Sequence, residues 1–313
     1  MSSINKRMVP AKRLKTAIAP ESRKAVAAGA RSRLNSLLAN PVYAYGALGI
    51  IVLVVTLIRV RLLYFPLERD EGEFAYIAQQ ILRGVPPYES AFTQKLPGTY
   101  LAYAFFMALF GQTLAGVHLM LLVTHVAGMA LLFLIARRLL DAISGLVAAL
   151  IYGIMALSPT VFGFAAHATF FVALFALLGI YLLLEADKRG RYGWYFASGL
   201  SLGMAFLMKQ PGAFFLLFAI AHLFFNWYLQ KRSDLRQFFS RSLFLGTGFL
   251  LPFLITVTFY AVRGTFRSFW FWTFELAREF SGEASGQAAA KTFYDNFLHV
   301  AHGFYLLWIL SGL

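Results

Sequence analysis

Residues 68–73 read ERDEGE and place four carboxylates within six positions, shortly after an apolar run long enough to cross a bilayer. The chain as a whole carries a formal charge of +14, so this concentration of acids is unusual for it. A carboxylate at a helix N-terminus is held in its ionised form and can accept a proton from a hydroxyl or an amine. We therefore take Asp70 as the candidate general base of this segment.

The residues that follow predict an amphipathic helix that ends near Gly84 and the prolines at 86–87. Its apolar stripe has the spacing i, i+3, i+4, i+7, i+8 and consists of Phe74, Ile77, Ala78, Ile81 and Leu82. Extending the stripe back by one turn reaches Asp70, whereas Glu71 falls beside it. Asp70 and Glu73 also match a capping box, a role that is compatible with catalysis. The remaining charges of the segment are predicted to be solvated at the membrane interface: Glu68, Arg69 and Glu71.

Two lysines precede proline turns, Lys95 in QKLPG and Lys209 in MKQPG. A lysine at a membrane surface can simply extend its ammonium group towards water. Two such lysines, predicted on the same face of the membrane, favour a site for a phosphate group.

Histidines stand out among the polar residues inside apolar segments: His118 and His125 in one run, and His167 near the start of another. A histidine bonded to a neighbouring helix is the common case, whereas an intramembrane ionisable group can also mark a functional site. The spacings HxxxH and HExxH are absent, and the chain has no cysteine, which excludes disulfides and thiolate metal sites. We therefore predict no cofactor; a divalent metal is compatible with the acids but has no support in the spacing.

Composition defines the class of protein, since 59% of the 313 residues are hydrophobic and 13% are charged. Apolar runs near twenty residues recur along the chain and predict an all-α polytopic membrane protein. The predicted spans are 42–62, 115–136, 142–158, 162–184, 193–208, 212–230 and 242–262, with a weaker run at 297–313. The basic segment 1–40 is predicted to be a cytoplasmic tail, which argues against nucleic-acid binding, and residues 41–313 form the membrane domain.

The segment 98–111 decides the topology, because fourteen apolar residues are short for a span and typical of an interfacial helix. If this segment lies in the outer interface, most basic loop residues fall on the side of the N-terminal tail, as the positive-inside rule favours. Residues 66–111 then form one outer loop that carries the acids and Lys95, and Lys209 lies at the same face. The aromatic segment 263–283 is predicted to anchor at the interface.

From residue 69 to residue 111 the chain resembles the GT-C superfamily of membrane glycosyltransferases. More narrowly, it is similar to the bacterial branch related to protein O-mannosyltransferases and lipid A aminoarabinose transferases. That branch has an Asp-Glu pair after the first span, an amphipathic helix, a G-x-x-P-Y turn and a K-x-P-G turn into a second juxtamembrane helix. The ARRLLD and KQP segments also match, and the resemblance extends over about residues 42–280.

The resemblance implies a GT-C fold with about 7–8 transmembrane helices and amphipathic juxtamembrane helices in the first outer loop. It also implies a polyprenyl-phosphate-sugar donor, an acceptor that is a glycan, lipid or protein, and a bacterial inner membrane with the active site outside. Asp70 matches the catalytic base, and Lys95 and Lys209 match the residues that bind the donor phosphate. Supporting positions are Glu71, Glu73, Tyr88, Gln94, His167, Gln210 and Arg263.

One base and two cations suit the transfer of a sugar from a phosphate leaving group. A phosphate leaving group needs charge stabilisation and no proton, so one base suffices, whereas a glycoside hydrolase needs two facing carboxylates. Attack opposite the phosphate predicts inversion at the anomeric carbon. Gln94 and His167 stand where relatives often have acids, which weakens the case for a metal. The chain also ends within an apolar run, as a fragment would. The alternatives are a transporter or flippase of lipid-linked sugars, and a catalytically inactive relative.

Overall fold

The computed structural model describes residues 29, 32–34, 36–89, 91, 93–229, 234–276, 278–279 and 286–305. Most of the predicted basic tail, the loop lysine and arginine at 231–232, and the end of the run 297–313 lie outside these residues. All regular secondary structure in the described part of the chain is helical, as the apolar runs predict. The prediction of an all-α membrane protein is therefore confirmed.

Eleven helices provide the framework of the described chain. They are α1 (Pro41–Val60), α2 (Arg69–Leu82), α3 (Gly98–Phe110), α4 (Leu114–Leu139), α5 (Ala142–Met155), α6 (Ala168–Arg189), α7 (Tyr192–Met208), α8 (Phe214–Leu229), α9 (Leu235–Val262), α10 (Phe266–Trp270) and α11 (Gly286–Gly303). Short 3₁₀ turns precede α6 and α8, at Pro159–Val161 and Gln210–Ala213.

Within the described residues, five segments are long and apolar enough to cross a membrane: α1, α4, α6, α9, and α8 together with its preceding turn. Helices α3 and α5 are apolar but shorter, with 13 and 14 residues. A helix of 13 residues is about 20 Å long, less than the hydrocarbon thickness of a bilayer. The count of 7–8 spans is thus not established by helix length, and the interfacial position of α3 stays a prediction.

Two predicted span boundaries differ from the helices that form. Residues 162–167 were predicted to belong to a span but lie outside α6, because a 3₁₀ turn at Pro159–Val161 is followed by Phe162 in the left-handed conformation at φ 51°. Helix α9 starts well before the predicted span 242–262, since the side chain of Asp234 accepts a hydrogen bond from the Arg236 amide and caps it.

The first loop forms the predicted amphipathic helix, α2, which ends before Gly84 at φ 86°. Its apolar side packs with the core side chains of α3, α4, α6 and α7; Phe74 contacts the rings of Tyr100 and Tyr103. The loop is therefore folded against the helices that follow, and it presents its polar N-terminus at their edge.

The second proline turn docks on α7 through Gly98. A Cβ at this position would lie 2.6 Å from the backbone carbonyl carbon of Leu207, so only glycine permits the approach. Thr99 Oγ1 also donates to the carbonyl of Met208 at 2.8 Å. These contacts bring the end of α7, with Lys209, next to the turn that contains Lys95.

Candidate active site

The N-terminus of α2 is closed by a capping box, but the partners differ from the predicted pair Asp70 and Glu73. The carboxylate of Glu68 accepts from the Asp70 amide at 2.7 Å, and the carboxylate of Glu71 accepts from the Glu68 amide at 2.9 Å. The helix starts at Arg69, so its N-cap is Glu68 and its third residue is Glu71. The Asp70 side chain therefore takes no part in capping the helix.

The prediction that Glu71 is a solvated charge is wrong, because this side chain is completely buried. The apolar stripe continues back from Phe74 by three residues, to Glu71, and not by four to Asp70. Desolvation of a carboxylate is unfavourable unless hydrogen bonds replace water. Glu71 Oε1 accepts from the Ala166 amide at 2.6 Å, and its other oxygen serves the capping box.

Asp70 lies at the mouth of this helix with its side chain 23% exposed and three positive or ionisable neighbours. Lys95 Nζ is 3.2 Å from its Oδ2, Arg69 Nη2 is 3.3 Å from its Oδ1, and His167 Nδ1 is 3.9 Å from Oδ2. Burial alone would raise the pKa of the Asp70 carboxyl, but Lys95 above all, with Arg69 and His167, holds that pKa below the ordinary 3.8. A carboxylate that stays ionised can act as a base.

Lys95 occupies the centre of the polar cluster. Its ammonium group lies 3.9 Å from Glu73 Oε2 as well as 3.2 Å from Asp70, and it rests 4.3 Å from the ring centroid of Phe74. Its backbone carbonyl accepts from the hydroxyl of Tyr88 at 2.7 Å, and the supporting role of Tyr88 stays a prediction. The turn therefore holds a cation over the start of α2.

Glu73 is fixed by two hydroxyl groups that sequence spacing does not connect with it. Thr93 donates to Glu73 Oε1 at 3.0 Å and Tyr100 donates to the same atom at 3.2 Å. The hydroxyl oxygens of Thr93 and Tyr100 are also in contact with each other. Sequence reasoning missed both hydroxyls, although Thr93 is only two residues before Lys95.

A pocket of about 340 Å³ opens beside this cluster. It is lined by four of the predicted site residues, Asp70, Glu73, Gln94 and Lys95, and by Arg69, Thr93, Trp272 and Leu276. The aromatic segment predicted to anchor at the interface thus contributes Trp272 to the wall. Its lining combines acids, a lysine and an aromatic ring, as expected for a polar substrate group.

The turn that contains Lys209 is connected to the wall of the pocket by the next residue, Gln210. Gln210 Nε2 donates to the Gln94 carbonyl at 2.8 Å and to the Thr273 carbonyl at 3.2 Å, and it ties the two proline turns to the aromatic segment. Lys209 itself is partly buried at the C-terminus of α7 and is not among the described residues that line the pocket. Its predicted contact with a phosphate stays a prediction.

Arg263 lies elsewhere, at the C-terminus of α9, with its Nε 3.7 Å from Glu89 Oε1. It lines a second, apolar cavity of about 400 Å³ whose walls come from the end of α2, the first proline turn, the start of α3 and the end of α9. Three of the predicted supporting residues line a cavity: Glu73 and Gln94 line the polar pocket, and Arg263 lines the apolar one. Four line neither cavity: Glu71, Tyr88, His167 and Gln210.

The fold brings together three side chains of the kind that bind metal ions, which are distant in sequence. One ligand atom from each of Glu68, Asp70 and His167 lies within 4.8 Å of the others. The histidine is almost a hundred residues from the two acids, so no spacing motif could reveal the group. Lys95 approaches the same Asp70 oxygen and supplies a positive charge there. The arrangement could hold a divalent cation or function with the lysine alone.

The described fold is all-helical, with acids at the start of α2 beside Lys95, and the chain is a member of the GT-C class of membrane glycosyltransferases. The chain belongs to the family of dolichyl-phosphate-mannose-protein mannosyltransferases, whose profile matches residues 94–260. The family resemblance drawn from the first loop is therefore confirmed, and the chain is a multi-pass membrane protein.

Curated relatives place the chain near a bacterial branch of this class. It is 30% identical over 242 residues to the undecaprenyl phosphate-alpha-4-amino-4-deoxy-L-arabinose arabinosyl transferase of Pseudomonas paraeruginosa, which covers 74% of this chain and 43% of that protein. The protein of Pseudomonas fluorescens with the same name, numbered 1, is 28% identical over 254 residues, covering 77% and 44%. The chain thus spans less than half the length of these relatives. No solved structure gives a significant match.

Proposed function

We propose that the chain is the donor-binding and catalytic part of an inverting glycosyltransferase that uses a polyprenyl-phosphate sugar. The observation that carries this proposal is the Asp70 carboxylate, kept ionised 3.2 Å from the Lys95 ammonium at the edge of a polar pocket. A base and a cation side by side are what a transfer from a phosphate leaving group requires. The names of the relatives, which specify an undecaprenyl-phosphate sugar, support the choice of donor.

In the proposed reaction an acceptor hydroxyl or amine attacks the anomeric carbon on the face opposite the phosphate. The new bond forms as the bond from that carbon to the phosphate oxygen breaks, and polyprenyl phosphate leaves with the electron pair. Asp70 takes the proton of the acceptor, which contributes roughly 10²–10⁴-fold. Lys95 stabilises the charge that develops on the phosphate, an effect worth about 3 kcal/mol in a partly dehydrated site.

The apolar cavity beside the polar pocket suits the chain of a lipid donor. Its walls are formed by Ile81, the prolines of both turns, and residues of α9, with Arg263 as the charged group. We place the polyprenyl tail in this cavity and the phosphate towards Lys95, with Lys209 as a second cation. The site then faces the outer side of a bacterial inner membrane, in agreement with the basic N-terminal tail.

The test is transfer of radiolabelled sugar from undecaprenyl-phosphate aminoarabinose and related polyprenyl-phosphate sugars, in membranes that contain the protein. Asp70→Asn keeps the size of the side chain but cannot accept the proton, so we expect transfer to fall by roughly 10²–10⁴-fold. Asp295→Asn, on the exposed side of α11, is the matched control. Equal transfer by the wild type and Asp70→Asn would exclude Asp70 as the base. Lack of transfer by the wild type, with undecaprenyl phosphate still bound, would indicate a transporter or an inactive relative.

A further inference from the structure

Glu71 joins two segments of the chain that are 95 residues apart in sequence. One of its oxygens accepts from the Ala166 amide at 2.6 Å, and the other accepts from the Glu68 amide at 2.9 Å. The first amide belongs to the residue immediately before His167, and the second belongs to the cap residue two positions before Asp70. A single carboxylate therefore links the two backbones that carry these side chains.

The linked segments are the ones whose side chains approach each other around the Asp70 carboxylate. His167 Nδ1 is 3.9 Å from Asp70 Oδ2, and His167 Nε2 is 3.6 Å from Glu68 Oε2. Neither distance is a hydrogen bond, so the two side chains do not fix each other. Their separation depends on how the backbones are held, and Glu71 bonds to both.

Two further buried side chains lie beside Glu71 and the turn that contains Ala166. His118 Nδ1 lies 3.0 Å from the Leu63 carbonyl, which can only accept, so this nitrogen carries the proton. The other ring nitrogen of His118 faces Glu71 Oε1 at 3.7 Å. Tyr103 donates its hydroxyl to the Ala166 carbonyl at 2.7 Å, so both backbone groups of Ala166 are bound by side chains.

We infer that Glu71 is a positioning residue that holds Asp70 and His167 in a fixed relation, with Tyr103 as a second support of the Ala166 turn. The inference rests on the proposed function for the role of Asp70, but the bonds of Glu71 to the two backbones are independent of it. Glu71 lies beneath the helix surface and is completely buried, so it does not touch a substrate in the pocket.

The chemistry explains why this position needs a carboxylate. Both partners of Glu71 are N–H donors, and a carboxylate offers two acceptor oxygens. The amide of glutamine has the same shape but only one acceptor oxygen, so its NH₂ group would face one of the two backbone donors. A buried donor without an acceptor is destabilising, and the structure relieves it by separating the segments. Glu71→Gln is thus a nearly isosteric change that opens the junction.

The experiment compares wild type, Glu71→Gln and the exposed control Glu279→Gln, purified in the same detergent. Hydrogen exchange followed by mass spectrometry reports on the peptide that contains Ala166. We expect faster exchange there in Glu71→Gln, with unchanged exchange in a reference peptide from α7. The kcat for sugar transfer should fall by about 10²-fold, the loss typical of a reacting group displaced by about 1 Å. The Kd for undecaprenyl phosphate should remain that of the wild type, because Lys95 is retained.

Tyr103→Phe provides a second and milder variant in case Glu71→Gln does not fold. It removes one hydrogen bond to the same turn, so we expect smaller changes in the same directions. Unchanged exchange at Ala166 in the folded variants would overturn the inference. Faster exchange with unaltered kcat would also overturn it, since Glu71 would then be only structural. Failure of the wild type to transfer sugar would count against the proposed function, and the exchange result would still decide whether Glu71 holds the two segments.

Discussion

Helix α6 has a polar cluster at each end, and the two clusters differ in how completely their charges are paired. At its N-terminus His167 faces Asp70 and Glu68 across gaps of 3.6–3.9 Å. At its C-terminus Glu185 and Asp187 belong to short, closed pairs. Glu185 and Asp187 follow His167 by 18 and 20 residues, so the clusters are separated by about 27–30 Å, close to the hydrocarbon thickness of a membrane.

In the C-terminal cluster every carboxylate oxygen has a donor. Glu185 binds Arg138 through one oxygen and Arg189 through the other, at 2.9 Å. Arg138 also donates to the Leu184 carbonyl at 2.6 Å. Asp187 accepts from Tyr195 at 2.9 Å and Asn226 at 3.2 Å, and lies 2.7 Å from His222. This cluster joins α4, α6, α7 and α8 to one another through ion pairs and hydrogen bonds.

The N-terminal cluster leaves its charges facing a pocket. Lys95 lies between Asp70 and Glu73 and lines the pocket together with both acids. A substrate phosphate can therefore take the place of a carboxylate as its partner. The comparison indicates that a closed set of ion pairs serves stability, whereas an open set, held from behind by Glu71, is available for chemistry.

Removal of one cation from each cluster should distinguish a catalytic from a structural role, and it should give the largest change in kcat/KM. In Lys95→Met we expect kcat/KM for sugar transfer to fall by about 10²-fold or more, as when one stabilising donor of a transition state is lost. Arg189→Met removes a half-exposed cation from the other cluster and should leave kcat/KM unchanged. Equal losses in the two variants, measured with the radiolabelled donor, would contradict the assignment of roles.

A substitution in the C-terminal cluster should lower the stability of the protein and leave its activity unchanged. Asp187→Asn places an amide NH₂ among the donors Tyr195 and Asn226, and we expect the free energy of unfolding to fall by about 1–3 kcal/mol. Its kcat at a permissive temperature should equal that of the wild type. Asp70→Asn should show the converse, because a partly exposed pair such as Asp70 and Lys95 contributes about 0–1 kcal/mol. Thermal melting of the purified variants distinguishes these outcomes.

Gln210→Ala tests the bridge between the two proline turns. It removes donors to the Gln94 and Thr273 carbonyls, and we expect a loss of about 1 kcal/mol in stability and a KM for the donor raised a few-fold. Gln112→Ala, at an exposed position, is the control. An unchanged KM in Gln210→Ala would show that the turns keep their places without this bridge.

The smallest effect is expected from pH. The folded-state pKa of Asp70 is below 3.8, so its ionised form contributes stability above the unfolded pKa, and that contribution is lost as the pH falls through the folded pKa. Transfer should therefore show no acid limb from Asp70 between pH 5 and pH 8, taking those values as roughly the usual working range. In Lys95→Met the limb should move to higher pH, because burial then acts with less opposition. A wild-type limb that shifts on Asp70→Glu substitution within that range would contradict this prediction.

The local elements of the first loop were predictable from the sequence. The apolar stripe from Phe74 to Leu82 specifies α2, and Gly84 and the proline turns end it, because these preferences act over a few residues. Two errors in the loop arose from small shifts in position: the cap is Glu68, two residues before Asp70, and the buried acid is Glu71, one residue after Asp70. A helix rotates by about 100° per residue, so one step exchanges a buried position for an exposed one.

Three features follow from the sequence alone: the protein is an all-α membrane protein, its acids lie on an amphipathic helix, and two lysines precede proline turns. Three others depend on the folded arrangement of distant segments: which acid is buried, the approach of His167 to Asp70, and the bond of Gln210 to the first loop across 116 residues. The difference is one of range along the chain. Hydrophobic periodicity and backbone preferences are local, whereas a buried carboxylate is stable only where distant backbone donors converge on it.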